Sequence, residues 1–190
     1  MIPPREVLDV TSAGEVREFF AVLPRLDLLI NNAGLRRDEL HLTQSAEDRD
    51  AVLDVCLRGA FLCSREAARR MVPQGTGHII NIGSRSGLTG AAGQTAYAAA
   101  KAGLAALTKS LAAELGPAGI RVNCVLPGWL ETKFTAGVPE EIRRLTLAAH
   151  VLGKFNTVAD AARFILHLHS QTAVSGQVFS LDSRPGRESC

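Results

Sequence analysis

Residues 77–84, Gly77-His78-Ile79-Ile80-Asn81-Ile82-Gly83-Ser84, form a short apolar run that opens into a small, polar loop. An Ala-rich helical stretch, Thr95–Leu115, follows and is closed by Gly116-Pro117. A second apolar run comes next, Ile120-Arg121-Val122-Asn123-Cys124-Val125-Leu126, stopped by Pro127-Gly128. Strand, long helix, strand is the unit from which parallel sheets are built, because parallel neighbours need a long crossover. Working outward, the alternation continues. Upstream, Leu26–Asn31 reads as a continuous apolar strand closed by Asn32-Ala33-Gly34. Ala46–Met71 reads as a helix, with Val52, Val55 and Leu62 near 3.6-residue spacing. Val7-Leu8-Asp9-Val10 reads as the end of an earlier strand. Downstream, Glu140–His150 and Val158–His169 read as helices and Gln177–Asp182 as a last strand. The pattern predicts an α/β fold: a Rossmann-like, doubly wound parallel sheet with helices on both faces, one domain over residues 1–190.

In such sheets ligands sit outside the carboxyl ends of the strands. The predicted strands end in Asp9-Val10, Asn32-Ala33-Gly34, Gly83-Ser84 and Pro127-Gly128. Each alone reads as ordinary loop, but four small or polar ends together favour a ligand crevice. Composition narrows the function classes. With 46% hydrophobic and 21% charged residues over 190 positions, the chain is neither disordered, collagen-like nor a disulfide scaffold. A net charge of +2 gives no electrostatic case for nucleic acid or a membrane surface. Met1–Glu6 lacks the apolar core of a signal peptide, and no apolar run has the length of a membrane span. Cys56, Cys63, Cys124 and Cys190 form no C-x-x-C pair or zinc pattern, so reduced thiols in the cytoplasm are expected. His167 and His169 do not share a helix face, and His41, His78 and His150 stand alone, so no metal site is expected.

Tyr97 and Lys101 lie four apart on a predicted helix and share a face; Ser84 stands at the mouth of a strand. A phenol has a reference pKa of about 10 and is a poor acid at neutral pH, whereas a nearby ammonium favours its phenolate. A hydroxyl such as Ser84 can hold a carbonyl oxygen where the Tyr97 proton must go. The three together suit carbonyl reduction, although a Tyr-x-x-x-Lys pair alone usually decorates a helix surface.

These residues, in this order, resemble the short-chain dehydrogenase/reductase family, especially its 3-oxoacyl-carrier-protein reductase-like members. Asn31-Asn32-Ala33-Gly34 is similar to the family's segment after its fourth strand, and Ser84 with Tyr97-Ala98-Ala99-Ala100-Lys101 is similar to its catalytic set. Pro127-Gly128-Trp129-Leu130-Glu131-Thr132, Leu152-Gly153-Lys154-Phe155 and Ser175–Phe179 resemble further landmarks. The resemblance implies Tyr97 as acid/base, Lys101 lowering its pKa and touching the nicotinamide ribose, and Ser84 positioning the carbonyl. It implies NAD(H) or NADP(H) as cofactor, with Asp9 and Val10 near the adenine. Asn31, Asn32, Ala33 and Gly34 would line the dinucleotide, and Pro127, Gly128, Leu130 and Thr132 would lie beside the nicotinamide. It further implies a small-molecule or acyl-thioester substrate and a homodimer or homotetramer formed through Ala46–Met71 and Thr95–Leu115.

Two departures from the family pattern stand out. Asp54-Val55-Cys56-Leu57 places Cys56 where the family has an Asn that orders water behind the Lys, so Cys56 is either a weakened relay or a packing residue. No Gly-rich phosphate loop precedes Gly34, which predicts that the first two strand–helix units, roughly 60 residues, are missing. Against the enzyme reading stands a second one: a non-catalytic homologue that acts by association, its cofactor binding lost with the phosphate loop. Trp129 reads equally as a substrate contact or a loop anchor, and Arg143-Arg144 as a solvated helix face or a contact for an acidic carrier or phosphopantetheine.

Overall fold

The computed structural model describes residues 8–185. Four strands form one all-parallel sheet in the order β1 (Leu28–Asn31), β2 (Gly77–Ile82), β3 (Ile120–Leu126), β4 (Val178–Ser180). The helices are α1 (Ala13–Ala21), α2 (Ala46–Leu53), α3 (Gly59–Gln74), α4 (Ser86–Thr89), α5 (Thr95–Leu115), α6 (Glu140–Ala148) and α7 (Val158–Ser170). α5 and β3 have the bounds that the sequence predicts, because Gly116-Pro117 and Pro127-Gly128 stop them chemically.

Side chains alternate across the strands, and each face finds its own cover. Ile79 and Val122 face α1 and α3, packing with Val16, Phe20, Leu62, Ala67 and Met71. Ile80 and Val125 face α7 and pack on Leu168, with Phe164 and Ile165 beside it. Both central strands are therefore buried on both faces, which explains their nearly unbroken apolar runs. α7 starts at a capping box between Thr157 and Asp160, and Ser45 caps α2 by accepting from the Asp48 amide at 3.0 Å.

The structure corrects the sequence reading in three places. Leu8-Asp9-Val10 is not a strand; Val7 lies outside the described residues. The Asp9 carboxylate accepts from the Thr11 amide at 2.9 Å and its hydroxyl at 2.8 Å, and Ser12 then caps α1. This local turn diverts the backbone from the sheet, and β1 is its edge strand among the described residues. Ile30 on that edge is 41% exposed. Second, Ala46–Met71 is not one regular helix: a π-helical turn, Asp54–Arg58, separates α2 from α3. Third, the first helix, α1, and the short α4 have no counterpart in the sequence reading: α1 spans nine residues, with Val16, Phe19 and Phe20 on one face, and α4 only four.

Two turns meet below the sheet. Gly119 has φ +77°, and a Cβ there would lie 2.4 Å from the Gly75 carbonyl oxygen. Gly119→Ala should therefore lower unfolding free energy by roughly 1–3 kcal/mol, read from a denaturant midpoint. His78 is fully buried between β2 and α7, its ring stacked on His169 at 5.6 Å. Burial, then electrostatic interaction with Arg121 and His169, pushes its pKa down from 6.5 to about 3. Between those values the unfolded chain binds the extra proton, so the stabilisation from neutral His78 is complete above 6.5 and is lost as pH falls towards 3. Denaturant midpoints should fall with acidification across that window, and His78→Gln should flatten the fall.

Candidate active site

The carboxyl ends of β1, β2 and β3 meet the first turns of α5. After β2 the chain turns through Ser84 into α4, and Gly87 lets this turn lie against α5. A Cβ at Gly87 would stand 2.7 Å from the Lys101 carbonyl carbon and the Ala102 nitrogen. That approach brings Ser84 to Tyr97. The Ser84 hydroxyl stands near the phenol, holding its pKa down, and accepts from the Ser86 amide at 3.2 Å. One helical turn on, the Lys101 ammonium lies 5.7 Å from the Tyr97 ring centre and donates to the Ile82 carbonyl at 2.6 Å. Lys101 is 5% exposed, and burial pulls its pKa down while Cys56 and Cys124 push it up.

The π-helical turn places Cys56 beside this group. Its Sγ accepts from the Leu35 amide at 3.3 Å and donates to the Leu35 carbonyl at 3.4 Å, clamping the chain just after Gly34. Cys56 packs with Val52, Ala96 and Ala100, and Tyr97 borders that cluster. Widened helical turns of this kind are frequent at functional sites.

Ser84, Tyr97, Lys101 and Cys56 are thus brought together. Asn32, Ala33 and Gly34 follow β1 as an exposed turn facing the same region, and Gly34 lies beside Phe134. Asn31 is different, because its side chain belongs to the core. Its amide donates to Asn81 Oδ1 at 2.8 Å and to Ser64 Oγ at 2.9 Å, and Asn81 in turn donates to Thr108 at 2.9 Å. Asp9 and Val10 lie on the β1 side, Val10 against Gly59 and Asp9 within the α1 lead-in. Pro127 and Gly128 leave β3, with the Pro127 carbonyl accepting from Asn156 at 3.2 Å. Leu130 and Thr132 shape the next turn, where the Thr135 hydroxyl donates to the Leu130 carbonyl at 2.7 Å.

Several residues escaped the sequence reading. Phe134 covers Tyr97, ring centres 6.2 Å apart, and the Arg36 guanidinium lies over Phe134 at 5.5 Å. Arg36 pairs with Asp38, Asp38 accepts from Gln94 at 2.9 Å, and Gln94 accepts from Ser86 at 2.8 Å, forming a polar rim. No periodicity or motif marks these side chains, since loop folding alone assembles them.

The expected electrostatics are reversed at one point. Lys101 was expected to lower the Tyr97 pKa, yet burial raises it to about 12, only partly opposed by Ser84. The physical reason is burial, which takes solvent from the phenol and disfavours its charged form. Tyr97 therefore holds its proton at neutral pH.

A dinucleotide meets these groups unequally along its length. The nicotinamide end fits: a phenol, a hydroxyl, a buried ammonium and an open turn without bulky side chains face one region. At the other end the α1 N-terminus is filled by its own Ser12 cap, and the Arg58 guanidinium donates to the Thr11 carbonyl beside it at 2.8 Å.

Fold and site together define a doubly wound α/β protein in which a serine, a tyrosine and a buried lysine meet at the carboxyl ends of the strands. The family described as enoyl-(acyl carrier protein) reductase matches residues 6–183. The 3-oxoacyl-(acyl-carrier-protein) reductase of Thermotoga maritima is 40% identical over 182 residues, covering 93% of this chain and 74% of the relative. The corresponding Aquifex aeolicus protein is 41% identical, covering 87% and 67%. A crystal structure assigned as a gluconate dehydrogenase of Agrobacterium tumefaciens superposes with a TM-score of 0.87 at 32% identity, covering 93% of this chain and 73% of that one. The chain belongs to the short-chain dehydrogenase/reductase family, whose cofactor is NAD(H) or NADP(H). It is by class an NAD(P)-dependent oxidoreductase acting on CH–OH groups.

The chain contains one tyrosine, so phenolate absorbance reports Tyr97 alone. Its alkaline titration should have a midpoint near 12. Phe134→Ala should move that midpoint towards the free phenol value of about 10 by restoring solvent.

Proposed function

We propose that this chain reduces the ketone of a 3-oxoacyl thioester to the hydroxyl, with Tyr97 giving the proton. One observation carries the reading: a protonated Tyr97 phenol near Ser84 and beside the buried Lys101 ammonium. The reduced nicotinamide supplies hydride to the carbonyl carbon. The chain's own residues handle the oxygen. Ser84 holds it, Tyr97 passes its proton to it, and Lys101 stabilises the phenolate left behind. Cys56 acts as a positioning residue, holding Leu35 and so the Asn32–Gly34 turn along which the cofactor would lie. Leu130 and Thr132 would shape the nicotinamide side, and Asp9 and Val10 the adenine side. The thioester class is supported by the Thermotoga and Aquifex relatives. The chain forms one domain and works in the cytoplasm, a reading supported by free Cys56, Cys63 and Cys124. Among the described residues, no helix is long and apolar enough to cross a membrane. Pairing of copies through α3 and α5 is supported by half-exposed Phe61 on α3.

The test is oxidation of NADPH or NADH by acetoacetyl-CoA, followed by loss of the reduced nicotinamide's absorbance. Tyr97→Phe should lower kcat by roughly 10²–10⁴-fold with the circular dichroism spectrum unchanged. Turnover by Tyr97→Phe at the wild-type rate would overturn the assignment.

A further inference from the structure

Beyond the Ser84–Tyr97–Lys101 group, one aromatic cluster contains two polar atoms with no partner. Trp129 stacks on Phe155 at 5.5 Å, His150 meets the same ring edge-on at 5.2 Å, and the Arg143 guanidinium lies over it at 5.5 Å. Trp129 Nε1 and His150 Nε2 are both buried and unbonded. His150 is 4% exposed, so water does not reach it freely. Its Nδ1 lies 2.7 Å from the Thr146 carbonyl, which can only accept, so Nδ1 carries a proton and, in the neutral tautomer this selects, Nε2 presents a lone pair. The indole N–H can only donate. One free donor and one free acceptor therefore stand on two side chains packed against a single ring. Buried polar atoms without partners are rare in native proteins and call for an explanation. The other two such nitrogens, on His78 and His169, are associated with the opposite, amino-terminal end of β2. The Trp129 pair is on the side of the chemistry. Trp129 precedes Leu130, whose carbonyl holds Thr135, and neighbouring Phe134 covers Tyr97.

We propose that Trp129 and His150 recognise the non-reacting part of the substrate. They would take a neutral group that accepts from the indole and donates to the imidazole at once, an amide or a hydroxyl. A carboxylate would satisfy only Trp129, and an ammonium only His150. The inference rests on the reductase reading in taking this ligand to be part of the substrate. An amide would come from the pantetheine arm of a thioester, and a hydroxyl from the chain of a sugar acid.

The chain has a single tryptophan, so its emission reads this site directly and without turnover. The full chain is titrated separately with pantetheine and with gluconate. A saturable change with pantetheine supports the amide, and one with gluconate supports the hydroxyl. His150→Phe keeps an aromatic ring but removes the acceptor, and should raise the half-saturating concentration about tenfold, the worth of one hydrogen bond. His150→Gln, which returns an acceptor, should recover part of that loss. If His150→Phe does not fold by circular dichroism, Trp129→Phe followed by calorimetry should show a similar weakening. Silence towards both ligands, or unweakened binding in His150→Phe or in Trp129→Phe, overturns the proposal: the pair then encloses solvent only. Acetoacetyl-CoA turnover without a fluorescence response fails this inference alone. A fluorescence response without turnover fails the reductase reading alone.

Discussion

The backbone of α5 lies so close to the turn after β2 that no side chain fits between them at Gly87. This approach decides the geometry of the site. It sets Ser84 against Tyr97 and lets the Lys101 ammonium reach the Ile82 carbonyl at 2.6 Å, although a buried cation costs stability unless it is bonded. A helix displaced outward by one methyl group would break both contacts. Carbonyl chemistry needs donors fixed before the substrate arrives, and helix-against-strand packing supplies that fixity better than a mobile loop.

A second constraint lies beneath the first. Asn31, Asn81, Ser64 and Thr108 form a buried hydrogen-bonded chain that links the ends of β1 and β2 to α3 and α5. Such networks are costly when incomplete, and this one satisfies Asn31, Asn81 and Thr108, the last donating to the Leu104 carbonyl. The level of the strand ends is thereby fixed relative to the helix that carries Tyr97. Burial in the same layer keeps the phenol protonated. That is the state needed to donate a proton.

The site is better built at one end than at the other. The nicotinamide side has a phenol, a hydroxyl, an ammonium and an open turn after β1. On the adenine side, the Glu15 carboxylate accepts from the Asp9 amide, Arg58 donates to the Thr11 carbonyl, and β1 forms the edge of the sheet among the described residues. The chain spans 74% and 67% of the length of the two reductases compared above.

Much of this was legible in the residues. Apolar runs stopped by Pro127-Gly128 and Gly116-Pro117 determined β3 and α5, because a ring without an N–H and a residue without a side chain end regular structure whatever surrounds them. The spacing of Tyr97 and Lys101 determined that they share a helix face. What no local pattern encodes is distance between separate elements. The Asp9 turn resembles a strand end in composition, and only its hydrogen bonds show that it leads into α1. The π-helical turn at Cys56 depends on packing against Leu35. Phe134, Arg36 and the Trp129–His150 pair come together from loops far apart in the chain. The sign of the Tyr97 shift likewise required the tertiary structure, since burial is a property of the packed protein, not of the tyrosine itself.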